Sequence, residues 1–128
     1  MLCALLAIVF GSLLISEKLI APPPAEYNEV AWSLATSPEA TNRDGSLAVE
    51  LAEDACQRTQ YKETVMVGTL AAAYAEAGRF DEAILTAQQA CALAKKNGET
   101  NLLQENQELL ALYQKHQPFR DLKADTRK

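Results

Sequence analysis

The stretch Thr69–Ala94, TLAAAYAEAGRFDEAILTAQQACALA, constrains the chain more than any other. Leu70, Ala71 and Tyr74 recur at helical spacing. Phe80, Ala83, Ile84, Ala87, Ala90 and Leu93 do the same further on. Between the two runs stands Ala77-Gly78-Arg79, where a glycine tolerates the left-handed conformation that ends many helices. Asp81 and Glu82 follow, suited to the positive end of a new helix. Two helices joined by a tight turn are therefore predicted. Alanines at 71, 83 and 90 let their backbones approach closely, and Leu70, Tyr74 and Phe80 fill the remaining gaps.

On Leu70-Ala71, Tyr74, Gly78, Phe80, Ala83 and Ala90, the stretch resembles the tetratricopeptide repeat, a helix–turn–helix unit of about 34 residues. Val67 stands at the family's usual tryptophan and Lys95 at its closing proline. An earlier copy runs from Tyr27 to Thr36 and from Asp44 to Thr59, with Ala31, Ala48 and Ala55 matching Ala71, Ala83 and Ala90. Ala31 to Ala71 is 40 residues but Ala48 to Ala83 is 35, so the first turn carries five extra residues within Ser37–Gly45. Pro38 stops the helix before that turn, and Asn42 or Asp44 can cap the one after it. The longer turn is similar to that of bacterial repeat proteins with an LAT-S-P…RDG…A-V-E-L-A-E pattern.

The resulting expectation is an all-α fold. Two stacked repeats occupy residues 27–60 and 62–97, and a capping helix occupies residues 99–116. A solenoid end exposes an apolar face that a terminal helix must cover. Leu102, Leu103, Asn106, Leu109, Leu110 and Tyr113 form one face of that helix. Gln104, Glu105, Gln107, Glu108 and Lys115 form the other.

The N-terminus is the second informative feature. Leu2–Ile15 carries no charge, and Leu19 and Ile20 extend the run toward the roughly 20 apolar residues a spanning helix needs. Residues 1–21 are read as a transmembrane anchor that makes this a single-pass membrane protein, the contact with the bilayer lying in residues 1–20. A cleaved signal peptide and a buried core helix are the alternatives, and Met1 need not be the natural start. Pro22–Pro24 lead a short stiff spacer, residues 22–26, and residues 117–128 form a solvated basic tail.

Composition limits function. From Glu26 to Tyr113 there are fourteen acids against six Lys/Arg, which argues against nucleic acid as a partner. Neither a metal-ligand cluster nor a phosphate-binding glycine loop nor a nucleophile motif is apparent, so no cofactor, metal or catalytic residue is expected. Glu50, Glu53 and Asp54 read as a solvated face, and His116 as a cation near a helix end. Cys56 and Cys91 follow equivalent alanines. Helix axes about 8–10 Å apart place them too far for an unstrained disulfide, so both read as small buried side chains.

The family resemblance implies that the first helix of each pair lines a concave groove. Carried over, the groove comprises Asn28, Trp32 and Ala35 with Val65, Gly68, Ala72, Ala75 and Glu76. Trp32 is the candidate anchor for a protein or peptide partner, set against internal packing beneath residues 22–25. The functional expectation is a membrane-tethered interaction or scaffold module without catalysis. Its alternatives are the C-terminal tail of a polytopic membrane glycosyltransferase and a secreted soluble repeat protein.

Overall fold

In a computed structural model, residues 21–123 are described, and among them are five α-helices and no strand. They are α1 (Pro24–Thr36), α2 (Gly45–Arg58), α3 (Thr64–Glu76), α4 (Phe80–Asn97) and α5 (Thr100–Gln114), with a 3-10 turn at Ala40–Asn42. The protein is all-α over this range. The expected anchor, with Cys3, and residues 124–128 of the basic tail lie outside the described residues. No helix among those described is long and apolar enough to cross a membrane.

Each helix packs on the next, α1 also packs on α3, and α3 touches α5. Odd-numbered helices thus line one side of the stack. The core between them is mostly alanine: Ala31, Ala48, Ala73, Ala83, Ala87 and Ala90 are all fully buried. Larger side chains close the gaps, chiefly Val67, Leu70, Tyr74 and the fully enclosed Tyr113 of α5. On α5, Asn106 and Tyr113 are buried and the four leucines of the expected face are partly buried. Its other face is exposed.

The turns follow local chemistry. α1 and α2 are separated by eight residues, α3 and α4 by three, which is the five-residue excess expected from the alanine spacing. Asp44 caps α2, its carboxylate accepting from the Leu47 N–H at 3.0 Å. Gly78 and Gly98 adopt φ of 76° and 71°. In each case the following amide donates five residues back, Arg79 to Tyr74 and Glu99 to Ala94, closing the helix end. His116 does the same for α5 with φ 54°, its ring stacked on Phe80 at 5.0 Å. His116 thus follows the C-cap of α5 directly, at the helix end where it was expected, and gains the Phe80 contact in addition.

Several expectations are corrected. Pro24 is the first residue of α1 and Pro23 its extended N-cap, so residues 24–26 are helix rather than spacer. Proline cannot continue a helix, but its missing N–H costs nothing at the first position. Glu53 is not simply solvated: it accepts from the Tyr74 hydroxyl at 2.7 Å and ties α2 to α3. Cys56 is fully buried, whereas Cys91 is only partly so. Val30, which precedes Ala31 as Leu70 precedes Ala71, is exposed where Leu70 is buried.

Gly45 meets the end of α3 directly. A Cβ there would lie 2.6 Å from the Ala77 nitrogen. Alanine at a helix start is ordinarily preferred over glycine by up to about 1 kcal/mol. Here Gly45→Ala is expected to reverse sign and destabilise the fold by about 1–3 kcal/mol, measured by urea unfolding.

Burial also sets an alkaline limit. Desolvation first, and then the charge of Glu53, pushes the Cys56 thiol from 9.0 to about 12. Burial alone pushes the Tyr113 hydroxyl well above its usual 10.0, and that hydroxyl makes no hydrogen bond. Folding raises both values, so their stabilising effect is complete below the unfolded pKa and is lost as pH climbs from about 9. Thermal melts should show stability falling above pH 9. Tyr113→Phe should flatten that fall and gain about 1 kcal/mol at neutral pH by removing an unpaired buried hydroxyl.

Candidate functional site

A cleft of about 490 Å³ opens on the side lined by α1, α3 and α5. Asn28, Glu29 and Trp32 enter from α1, and Val65, Gly68 and Thr69 from α3. Leu102, Glu105, Asn106 and Leu109 enter from α5. Gly68 is the close-approach residue: a Cβ on it would meet the Asn106 Oδ1 at 2.8 Å. Asn106 is held in place by donating from Nδ2 to the Leu102 carbonyl at 2.8 Å. Asn28 presents an Oδ1 that is buried yet accepts no hydrogen bond. An amide acceptor withdrawn from water and unpaired is costly, so a ligand N–H would satisfy it once the Asn28 side chain rotates toward the cleft.

The eight groove residues expected from sequence divide into three sets. Asn28, Trp32, Val65 and Gly68 line the open cleft. Ala35, Ala72 and Ala75 are 1–2% exposed, packed between helices and closed to any ligand. They fall where α1 and α3 pack on each other, which leaves no open strip at these positions. Glu76 lies beyond them, at the end of α3, and its carboxylate is held by two arginines. Arg43 donates from Nε at 3.2 Å and Arg120 from a terminal nitrogen at 2.6 Å.

Arg120 belongs to the tail that sequence alone reads as solvated. Instead, the chain turns back at His116 and crosses the ends of α1 and α3. Phe119 packs on Trp32 with ring centroids 5.8 Å apart. The Asp121 N–H donates to the Thr36 carbonyl at 2.8 Å, and the Trp32 indole N–H donates to the Asp121 carboxylate at 3.0 Å. Trp32 is therefore packed internally on one side, beneath residues 119–121 and not beneath residues 22–25, while its other side borders the cleft. The α1 carbonyls left over at the helix end supply the reason the tail settles there.

Sequence reasoning missed the α5 contribution to the cleft because α5 was treated only as a cover. The available signal was Asn106, the one polar residue in the row Leu102, Leu103, Leu109, Leu110 and Tyr113. A larger cleft, about 790 Å³, lies between α3 and α4 and is lined by residues such as Tyr61, Leu70, Leu85 and Leu93. Among the described residues it holds no buried unpaired polar atom and none of the expected groove residues. The α1–α3–α5 cleft is therefore the better candidate.

No protein-family model, curated protein or solved structure matches this chain.

Because Trp32 is the only tryptophan, its emission reports the seating of the tail. Phe119→Ala and Asp121→Ala should each shift that emission to the red. Glu76→Ala should do the same and also lower stability by about 1–3 kcal/mol, because it removes the one carboxylate that Arg43 and Arg120 share. Unchanged emission in all three would mean the tail is not seated in solution.

Proposed function

We propose that this chain is a tetratricopeptide-like interaction module, tethered to a membrane through residues 1–20, that binds an extended segment of a partner protein in the α1–α3–α5 cleft. The observation that carries this reading is the unpaired Asn28 Oδ1 beside a cleft that combines apolar Trp32, Val65, Leu102 and Leu109 with polar Glu29, Thr69, Glu105 and Asn106. A backbone N–H of an extended peptide is the donor that suits it. Trp32, Val65, Leu102 and Leu109 offer contact area for one aliphatic or aromatic side chain. Glu29 and Glu105 stand at the same cleft and favour a neighbouring Lys or Arg on the partner. The acidic surplus of the helical region acts in the same direction at longer range. No catalytic role is part of this reading, in which the protein acts by holding a partner at the membrane surface.

Selection of displayed peptides against the full chain in lipid nanodiscs tests this. The expected winners carry an apolar residue beside a basic one and bind more weakly as salt rises. Asn28→Ala should weaken them by about tenfold, the loss of one hydrogen bond to a buried group. Val65→Arg, which puts a bulky cation into the cleft from a half-exposed position, should abolish binding with the helical circular dichroism retained. Failure to enrich any peptide, or binding indifferent to both substitutions, would sink the proposal.

A further inference from the structure

The second half of the expected groove already holds a peptide: the chain's own residues 119–121. Three consecutive side chains each meet a different group. Phe119 lies on the Trp32 ring, Arg120 donates to Glu76, and Asp121 accepts from the Trp32 indole while its N–H donates to Thr36. Two of the three receiving residues, Thr36 and Glu76, are also held by the helical body, while the Trp32 indole N–H is held by Asp121. Thr36 ends α1, and the Arg43 side chain that orients Glu76 is itself fixed on the Ser37 and Pro38 carbonyls at 2.8 and 3.0 Å. The seat is thus preorganised at Thr36 and Glu76, which lowers the cost of filling it.

The occupant is lightly held by comparison. Residues 117–121 form no regular secondary structure, residues 118–121 stay partly exposed, and Leu122 is 71% exposed. The attachments are the packing of Phe119 on Trp32 and the core edge, one ion pair, and three hydrogen bonds, the third from Arg120 to the Ala35 carbonyl at 3.5 Å.

We infer that this seat recognises an aromatic–arginine–aspartate tripeptide of a partner protein, and that Phe119-Arg120-Asp121 fills it as a built-in competitor. The inference rests on the cleft being a peptide site, because Trp32 borders both. A partner segment running from the cleft into the seat gains both sets of contacts, whereas the tail makes only one. The same advantage is denied to the tail of a second copy. It offers nothing beyond the seat contacts and faces an internal rival at an effective concentration of order millimolar.

The test uses the full chain in nanodiscs and a fluorescein-labelled peptide of residues 117–123, QPFRDLK, read by anisotropy. A chain carrying Phe119→Ala, Arg120→Ala and Asp121→Ala should bind the peptide, and the native chain should bind it at least about tenfold more weakly, since its seat is filled. Arg120→Ala alone should fall between them. Adding Glu76→Gln to the triple variant should weaken binding again by about tenfold. Absence of binding to the triple variant, or equal binding to the native chain, overturns the inference. So does loss of helical structure in the triple variant, because a segment that holds the fold together is no displaceable competitor. These outcomes leave the cleft reading standing or falling on the displayed-peptide selection, which uses the native chain and the Asn28 and Val65 substitutions.

Discussion

Close contact between alanine-faced helices is the constraint on which everything else depends. With Ala31 and Ala48 on the first pair and Ala73, Ala83, Ala87 and Ala90 on the second, there is little side-chain volume between the axes. Each alanine buries little apolar area, so the gain comes from many backbone-level contacts rather than from a few large groups. Such packing tolerates no added volume, which is why Gly45 faces the Ala77 backbone and Gly68 faces Asn106 without room for a methyl group. It also explains why Tyr74, Leu70 and Tyr113 matter out of proportion to their number. Among the described residues they are the largest of the buried apolar side chains in an alanine interior.

The same closeness shapes the candidate site. α1 and α3 pack so tightly at Ala35, Ala72 and Ala75 that the expected groove is pinched shut in its middle. What remains is an open cleft toward Asn28 and Val65 and a separate seat around Trp32 and Glu76. Glu76 connects three stretches of chain that are distant in sequence: the end of α3, the long first turn through Arg43, and the C-terminal segment through Arg120. Its side chain is 14% exposed, so the two guanidinium partners offset a real desolvation cost. Neither arginine stands out in the sequence, since one lies in a polar turn and the other in a basic tail.

Legibility of the chain followed the range of the interactions. Helices α2 to α5 were readable because their signals are local: apolar residues at helical spacing, Gly78 and Gly98 at helix ends, and Asp44 ahead of α2. The five-residue excess of the first turn followed from alanine spacing alone. The start of α1 was misjudged because Pro24 serves a helix start and an extended spacer equally well until a following turn is formed. Half of the expected groove was legible, since Asn28, Trp32, Val65 and Gly68 do share one cleft. Asn106 and the returning tail were not legible, because each acquires its role from a neighbour more than thirty residues away.

The sequence by itself determined that the described chain is helical, where most helices begin and end, and which faces are apolar. Those properties arise from side-chain periodicity and from backbone preferences that act within a turn or two. Only the tertiary structure decided how near α1 and α3 come, which side chains that distance leaves open, and where residues 118–123 lie. Interhelical distance is a joint property of two surfaces, and the carbonyls that receive the tail exist as a site only after α1 has ended and α3 has docked beside it.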